Sequence, residues 1–242
     1  MRVLATCFVY NERRYIDQWV KWYRSQGCEL FVLDNMSDDG TYEYLLDQGV
    51  PCERFDTNGS FHLHNLQKEL LKHIKRIAPD WVCYCGADLF YIFDEPIKKM
   101  VERANKEGYN QIQLPCYNAV NTGEIFGTPL QLHFVRGGLY RHLIMISKYC
   151  EGFDIHNDNI GLLEGNSVKY SGIMINYGGC KPIKEQEVKF KRREKAWRDG
   201  LPAQCGKHFK QGKSKQWVFK NEETIDLSET EAWKYIKKIQ YL

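Results

Sequence analysis

TCFVYNERRYIDQWVKWYRSQGCELFVLDNMSDDGT, residues 6–41, decides the fold. One apolar run ends in Tyr10-Asn11-Glu12, and an amphipathic stretch follows. A second apolar run ends in Asp34-Asn35, with Met36-Ser37-Asp38-Asp39-Gly40-Thr41 behind it. Two short apolar runs joined by a helical pattern make a βαβ unit, which sets both runs in one parallel sheet. Polar residues gather just past the end of each run. In open α/β sheets the ligand crevice lies outside the carboxyl ends of the strands, so the two clusters are expected to line one site. That site has carboxylates and small polar groups but no glycine-rich phosphate loop. It suits a base and a ribose, and needs another element to hold phosphates.

Working outward, Arg2–Val9 reads as the first strand. Arg13–Ser25 reads as a helix with Ile16, Trp19, Val20 and Tyr23 on the face that covers the sheet, and Gly27 stops it. Leu30–Leu33 is the second strand. Ser37-Asp38-Asp39-Gly40 is expected to cap a helix over Thr41–Asp47, which Gly49 and Pro51 end. Cys52–Phe55 reads as a short strand and Asn65–Ile77 as a helix with Leu66, Leu70, Leu71 and Ile74 on one face. Trp81–Cys85 is an apolar strand that stops at Gly86-Ala87-Asp88. Beyond it, Pro96–Lys106 is expected to be helical, with strands at Gln111–Pro115, Leu132–Phe134 and Leu143–Ser147. Glu185–Trp197 reads as a basic surface helix. Glu229–Ile239 reads as a terminal helix, with Ser228 and Glu231 spaced as a capping box. The fold class is α/β, with a mixed, mainly parallel sheet flanked by helices in a single domain.

The 242 residues, 43% hydrophobic, suffice for one α/β domain with a sizeable core. Aromatics at 14% suit stacking on rings or sugars, although packing explains most of them. A net charge of +3 is too mild to imply nucleic acid. Nine cysteines, an odd number at scattered positions, favour reduced thiols in a cytoplasmic protein over a disulfide framework. Cys83 and Cys85 alternate along a strand without the second pair that a zinc site needs. Met1 leads directly into a strand with no signal-peptide pattern, and no apolar run approaches the ~20 residues of a membrane span.

Asp88 carries the first chemical expectation. A carboxylate in a small-residue turn at the carboxyl edge of a sheet can hold Mg²⁺ or Mn²⁺ against a pyrophosphate, which neutralises the charge on a departing diphosphate. The alternative is an Asp that caps the next turn. The basic run Lys189-Phe190-Lys191-Arg192-Arg193 reads as a solvated helix face, with a place over a diphosphate or an anionic acceptor as its alternative. His62, His64 and His73 do not fall on one helical face and are not read as a metal site.

Tyr10-Asn11-Glu12, then Trp19-Val20-Lys21-Trp22-Tyr23 and Gly27, then Val32–Thr41, then Trp81–Phe90 together resemble the GT-A glycosyltransferases, particularly the family 2-like group. The resemblance covers residues 3–95. It implies a Rossmann-like GT-A domain over residues 1–242, with a nucleotide-sugar-binding half (1–110) and an acceptor half (111–242) that ends in a helical extension. It also implies a metal-dependent, inverting transferase that moves a sugar from a nucleotide diphosphate donor, expected to be a uridine diphosphate sugar, to a hydroxyl of a glycan, glycoprotein or other acceptor.

By the same resemblance, Tyr10 and Glu12 lie near base and ribose, and Asp34 and Asn35 at the base. Lys68 lies near the phosphates or base, Ala87 where the backbone approaches the sugar, and Asp88 at the metal. Gly86 departs from the pattern, which usually has an Asp there. A helper ligand is therefore sought downstream: His156 in Phe153-Asp154-Ile155-His156-Asn157-Asp158, with His208 behind it. Asn176-Tyr177-Gly178 stands where related sequences often show a His-Tyr pair. Asp158, ahead of Asp154, is the expected base that takes the acceptor's proton; either could instead cap a helix from Ile160 onward. Two alternatives remain: a non-catalytic nucleotide-sugar or carbohydrate-binding domain, suggested by Gly86 and Asn176, and a nucleotidyltransferase, whose glycine-rich loop after the first strand is missing here.

Overall fold

Alternate residues of β1 (Val3–Val9) go to opposite sides, as strand geometry requires: Val3, Ala5, Cys7 and Val9 enter one buried cluster and Leu4 another. The first cluster takes Trp19, Val20 and Tyr23 from α1 (Arg13–Ser25) and Met100 and Ala104 from α4 (Ile97–Lys106). The second takes Leu66, Leu70 and Ile74 from α3 (Leu63–Ile77). The layers are therefore helix, sheet, helix. In β4 (Trp81–Tyr84) the same alternation sends Trp81 and Cys83 to one cluster and Val82 and Tyr84 to the other. Cys83 and Cys85 are thus buried on one face, unpaired, as packing residues. This computed structural model describes residues 1–120, 134–136, 140–141, 146–151, 153–156, 159–162, 165–181, 183–198, 224–226 and 234.

β2 (Glu29–Asp34), β3 (Cys52–Arg54), β6 (Gln111–Gln113), β10 (Ile146–Lys148) and β13 (Ser167–Lys169) complete a seven-stranded sheet in the order β13-β6-β10-β4-β1-β2-β3. The run β4-β1-β2-β3 is parallel, with Val9 opposite Asp34 and Thr6 opposite Tyr84, and β10 runs antiparallel to both its neighbours. The chain leaves β1 for β2 and β3 on one side and returns to β4 on the other. The crevice of such a sheet lies at that reversal, between the carboxyl ends of β1 and β4.

A second sheet was not foreseen. β5 (Leu89–Phe93), β7 (Pro115–Val120), β8 (Phe134–Arg136), β14 (Gly172–Gly179) and β15 (Thr224–Asp226) order as β15-β8-β7-β14-β5, and β9 (Tyr140–Arg141) pairs with β7. β5 crosses straight from the end of β4 into this sheet. The strands of residues 1–110 and 111–242 thus share both sheets.

Other differences are local. Helix α2 (Thr41–Asp47) begins after Gly40 at φ +88°, with Asp39 accepting the Thr41 N–H, so the expected cap is a single residue of the Ser37–Gly40 run. Helix α3 starts at Leu63 because His62 Nδ1 accepts the Asn65 N–H. β11 (Phe153–His156) and β12 (Asn159–Leu162) form an antiparallel hairpin, so Asn159–Leu162 is strand where a helix start was the alternative. The calls at 132–133 and 143–145, and Glu229–Ile239 apart from residue 234, lie outside the described residues.

Candidate functional site

The loops after β1 and β2 tie each other down. The N–H groups of Asn11, Glu12 and Arg13 donate to Ser37 Oγ, Thr41 Oγ1 and Asp39 Oδ2 at 3.0, 3.0 and 2.9 Å. Asn11 and Asp38 exchange a side-chain and a backbone bond at 2.7 and 3.0 Å. Asn11 holds a φ of +53°, kept there by this reciprocal bonding, and Met36 holds +60°. The polar segment Ser37–Thr41 is thus a lock on the first loop. Those three N–H groups have no capacity left for a phosphate.

The expected base-contacting pair is also engaged. Asp34 is fully buried, accepts the Ser37 N–H at 2.9 Å and lies 3.5 Å from Arg54 Nε. Burial pushes its carboxyl above the usual range against the pull of Ser37 and Arg54. Asn35, also buried, donates to Ser60 O at 3.2 Å and accepts from Thr57 at 2.9 Å.

Asp88 sits at the reversal, in the turn between β4 and β5. Helix α1 fixes the surroundings: Tyr15 donates to Tyr177 O at 3.1 Å, Tyr23 to Leu89 O at 3.0 Å, and Trp22 to Tyr91 O at 3.0 Å. Tyr177 N–H in turn donates to Asp88 O at 2.8 Å. The carboxylate folds over two glycines. A Cβ at Gly86 would stand 2.7 Å from Asp88 Oδ1, and one at Gly178 2.9 Å from Oδ2. Gly86 is therefore what lets Asp88 adopt this pose, and a second Asp there would collide with it.

The main miss is α5 (Ile183–Arg198). Expected as a solvated surface helix, it turns a polar stripe inward: Gln186, Lys189, Arg192 and Arg193 are buried or half-buried, followed by Ala196. Hydrophobic periodicity does not register a stripe made of cations. Arg192 lies 3.2 Å over the Tyr10 ring centroid and donates to Ser60 O at 3.1 Å. Arg193 lies 5.1 Å over the Phe61 ring. Lys195 donates to Asn58 O. Just before the helix, buried Lys181 pairs with Glu12 Oε1, while Glu12 Oε2 has no hydrogen-bond partner among the described residues. Lys189 Nζ lies 3.7 Å from Asp88 Oδ2.

These groups perturb one another. Burial raises the Glu12 carboxyl despite Lys181, whereas Asp88 is held below the usual range because Lys189, Lys181 and Arg193 outweigh its burial. Burial and then Lys181 push Lys189 down to about 8. Lys181 is driven down by burial, but Glu12 and Asp88 reverse that and keep it charged.

Of the sequence candidates, Tyr10, Glu12, Asp34, Asn35, Ala87 and Asp88 gather at the carboxyl edge, with Ala87 buried behind the turn. Lys68 is exposed on α3 near His64 and makes no part of the cluster around Asp88. His156 belongs to β11 by its backbone; its side chain, that of Asp154, and all of Asp158 and His208 lie outside the described residues. The implied Mn²⁺ or Mg²⁺ does not fit the described donors. One carboxylate faces three cations, and no group of three His, Cys, Asp or Glu side chains suited to a metal occurs among the described residues.

No family model matches the chain, and no curated protein does. Among solved structures, Staphylococcus aureus TarS 1–349 in complex with UDP is 15% identical at a TM-score of 0.40, over 55% of this chain and 40% of that one. The same protein with UDP-GlcNAc is 13% identical at 0.39, over 55% and 39%. A putative glucose-1-phosphate thymidylyltransferase from Bacillus anthracis is 11% identical at 0.40, over 80% and 96%. The chain spans well under half of the TarS chains that it matches.

Proposed function

We propose that the chain is a glycosyltransferase that moves a sugar from a nucleotide diphosphate donor, a uridine diphosphate sugar first among them, to a hydroxyl acceptor with inversion. One observation carries the reading: a carboxylate, Asp88, at the sheet's reversal, with buried cations on one side and the Tyr10–Asn35 wall on the other. In the step proposed, the acceptor oxygen bonds to C1 of the sugar as the C1–O bond to the diphosphate breaks. The electron pair leaves with the diphosphate, and the acceptor's proton passes to a carboxylate base, for which Asp158 stays the candidate. Asp88 is positioned to accept hydrogen bonds from the donor sugar, and Ala87 allows the backbone's close approach. Tyr10, Asn35 and Glu12 border the nucleoside, and Asp34 acts by holding Arg54 and Ser37. Lys68 stands farther out as a contact for the donor.

The nucleotidyltransferase alternative loses ground on a specific observation. The N–H groups after β1, where such an enzyme grips a triphosphate, already bond to Ser37, Asp39 and Thr41. The test is turnover of nucleotide sugars by wild type and Asp88→Asn. The variant should lose transfer by about 10²-fold or more. Equal turnover by both proteins would sink the reading. Donor binding without turnover in the wild type would favour the binding-module alternative.

A further inference from the structure

The Tyr10 ring, a border of the proposed nucleoside site, already carries a flat group of the chain's own. Arg192 of α5 lies 3.2 Å over the ring centroid, and its Nη2 donates to Ser60 O at 3.1 Å and to Asn35 O at 3.4 Å. A guanidinium on an aromatic face, with N–H groups aimed at backbone carbonyls, stands as a nucleobase would stack and donate. It is held there weakly. Arg192 is 8% exposed, yet its Nε has no hydrogen-bond partner among the described residues. Ser60 O also accepts from Asn35 Nδ2 at 3.2 Å, so it stays bonded when the guanidinium leaves. Outside, the exposed Asp38 and Asp56 both attract it. A buried cation with an unmet donor gains water and these carboxylates by moving out. Helix α5 need not move with it: the Phe61 N–H donates to Arg192 O at 2.9 Å and Lys195 donates to Asn58 O, which hold the backbone in place.

We infer that Arg192 is a gate on the base subsite: the ligand-free chain fills that subsite with its own guanidinium, and a nucleotide's base enters only when Arg192 swings off Tyr10. This rests on the reading of the crevice as a nucleotide-sugar site and goes beyond it in naming what closes the site. The closed form binds no base, so the measured affinity is the intrinsic one reduced by the fraction of molecules that are open. Removing the guanidinium lifts that reduction. Loss of a cation would by itself weaken the binding of an anion, so tighter binding has one source.

The experiment titrates uridine monophosphate, uridine diphosphate and guanosine diphosphate into the full chain by calorimetry, and follows their binding by stopped-flow intrinsic fluorescence. Arg192→Met and the exposed control Lys191→Gln are measured alongside, each checked for an unchanged melting profile. The gate predicts roughly tenfold tighter binding in Arg192→Met and no change in Lys191→Gln. It also predicts that the wild-type rate levels off at high nucleotide. The limit should be the same for every nucleotide that binds, because opening precedes the ligand, and Arg192→Met should remove it. Equal or weaker binding by Arg192→Met overturns the gate and leaves the transferase reading standing. Should Arg192→Met melt early, the wild-type rates decide alone: one shared limit keeps the gate, and a linear rise or unequal limits overturn it. No binding of any nucleotide to any of the proteins removes the gate and the transferase reading together.

Discussion

Two polar regions meet at the carboxyl edge of this sheet, and they behave oppositely. Where Asn11–Arg13 meet Ser37–Thr41, the N–H groups of Asn11, Glu12, Arg13, Ser37, Asp38 and Thr41 each have a nearby acceptor. Between Asp88, Glu12 and α5, ion pairs join Lys181 to Glu12 and Lys189 to Asp88, and Glu12 Oε2 lacks a hydrogen-bond partner among the described residues. The presence of charge does not separate the two, since both hold carboxylates and arginine. Pairing does: the first is closed by hydrogen bonds, and the second is held by charge pairs that leave one Glu12 oxygen unbalanced among the described residues.

The comparison breaks first at Lys181. Lys181→Met leaves Glu12 buried without its partner and should destabilise by about 3–5 kcal/mol, whereas Lys181→Met with Glu12→Gln should recover most of that. Denaturant midpoints check it. Recovery marks the pair as structural even inside the unbalanced region. Next, Gly86→Ala places a methyl against Asp88 Oδ1 and should cut turnover about 10²-fold through misplacement of the carboxylate, with far less effect on the melting temperature. A variant that is equally active would show that the pose of Asp88 is dispensable.

Asp39→Ala attacks the closed network. It removes the acceptor of the Arg13 and Thr41 N–H groups and should cost about 1–3 kcal/mol of stability. Diphosphate affinity should stay within twofold or so at temperatures where the variant is folded, which is what distinguishes frame from ligand wall. The smallest effect lies away from both regions. His73 stacks on Phe31 and faces Glu53, Glu69, Arg76 and Lys72, and burial holds its pKa below the usual 6.5. The unfolded chain then binds more protons just below pH 6.5, so stability should fall as pH drops through that value towards the folded pKa. His73→Gln should flatten this slope in pH-dependent melts without touching ligand affinity.

The first half of the fold was legible because its signals are apolar and periodic. Ile16, Trp19, Val20 and Tyr23 give α1 its bounds to the residue, and alternation in Val3–Val9 and Trp81–Tyr84 gives the strands. β5 was readable as the apolar run Leu89–Phe93, but its move to a second sheet depends on pairing with β14, a partner some eighty residues away that local pattern does not reveal. At the sheet's carboxyl edge, the placement of Tyr10, Glu12 and Asp88 was legible because each follows the end of an apolar strand run. The inward face of α5 was missed because Lys189, Arg192 and Arg193 look like any solvated stripe. The signal available was indirect: a crevice with no phosphate loop needs cations from elsewhere in the chain, and Lys189–Arg193 is the densest supply.

Lys181 reaches Glu12 across 169 residues of sequence, and Arg192 reaches Ser60 across 132. Contacts so distant along the chain come late in folding, after the nearer pairings have shortened the loops they close. The parallel core through β4 does not depend on these two contacts. On the proposed reading of the crevice as a nucleotide-sugar site, a species with its sheet formed and α5 undocked would show much of the native secondary structure and bind no donor.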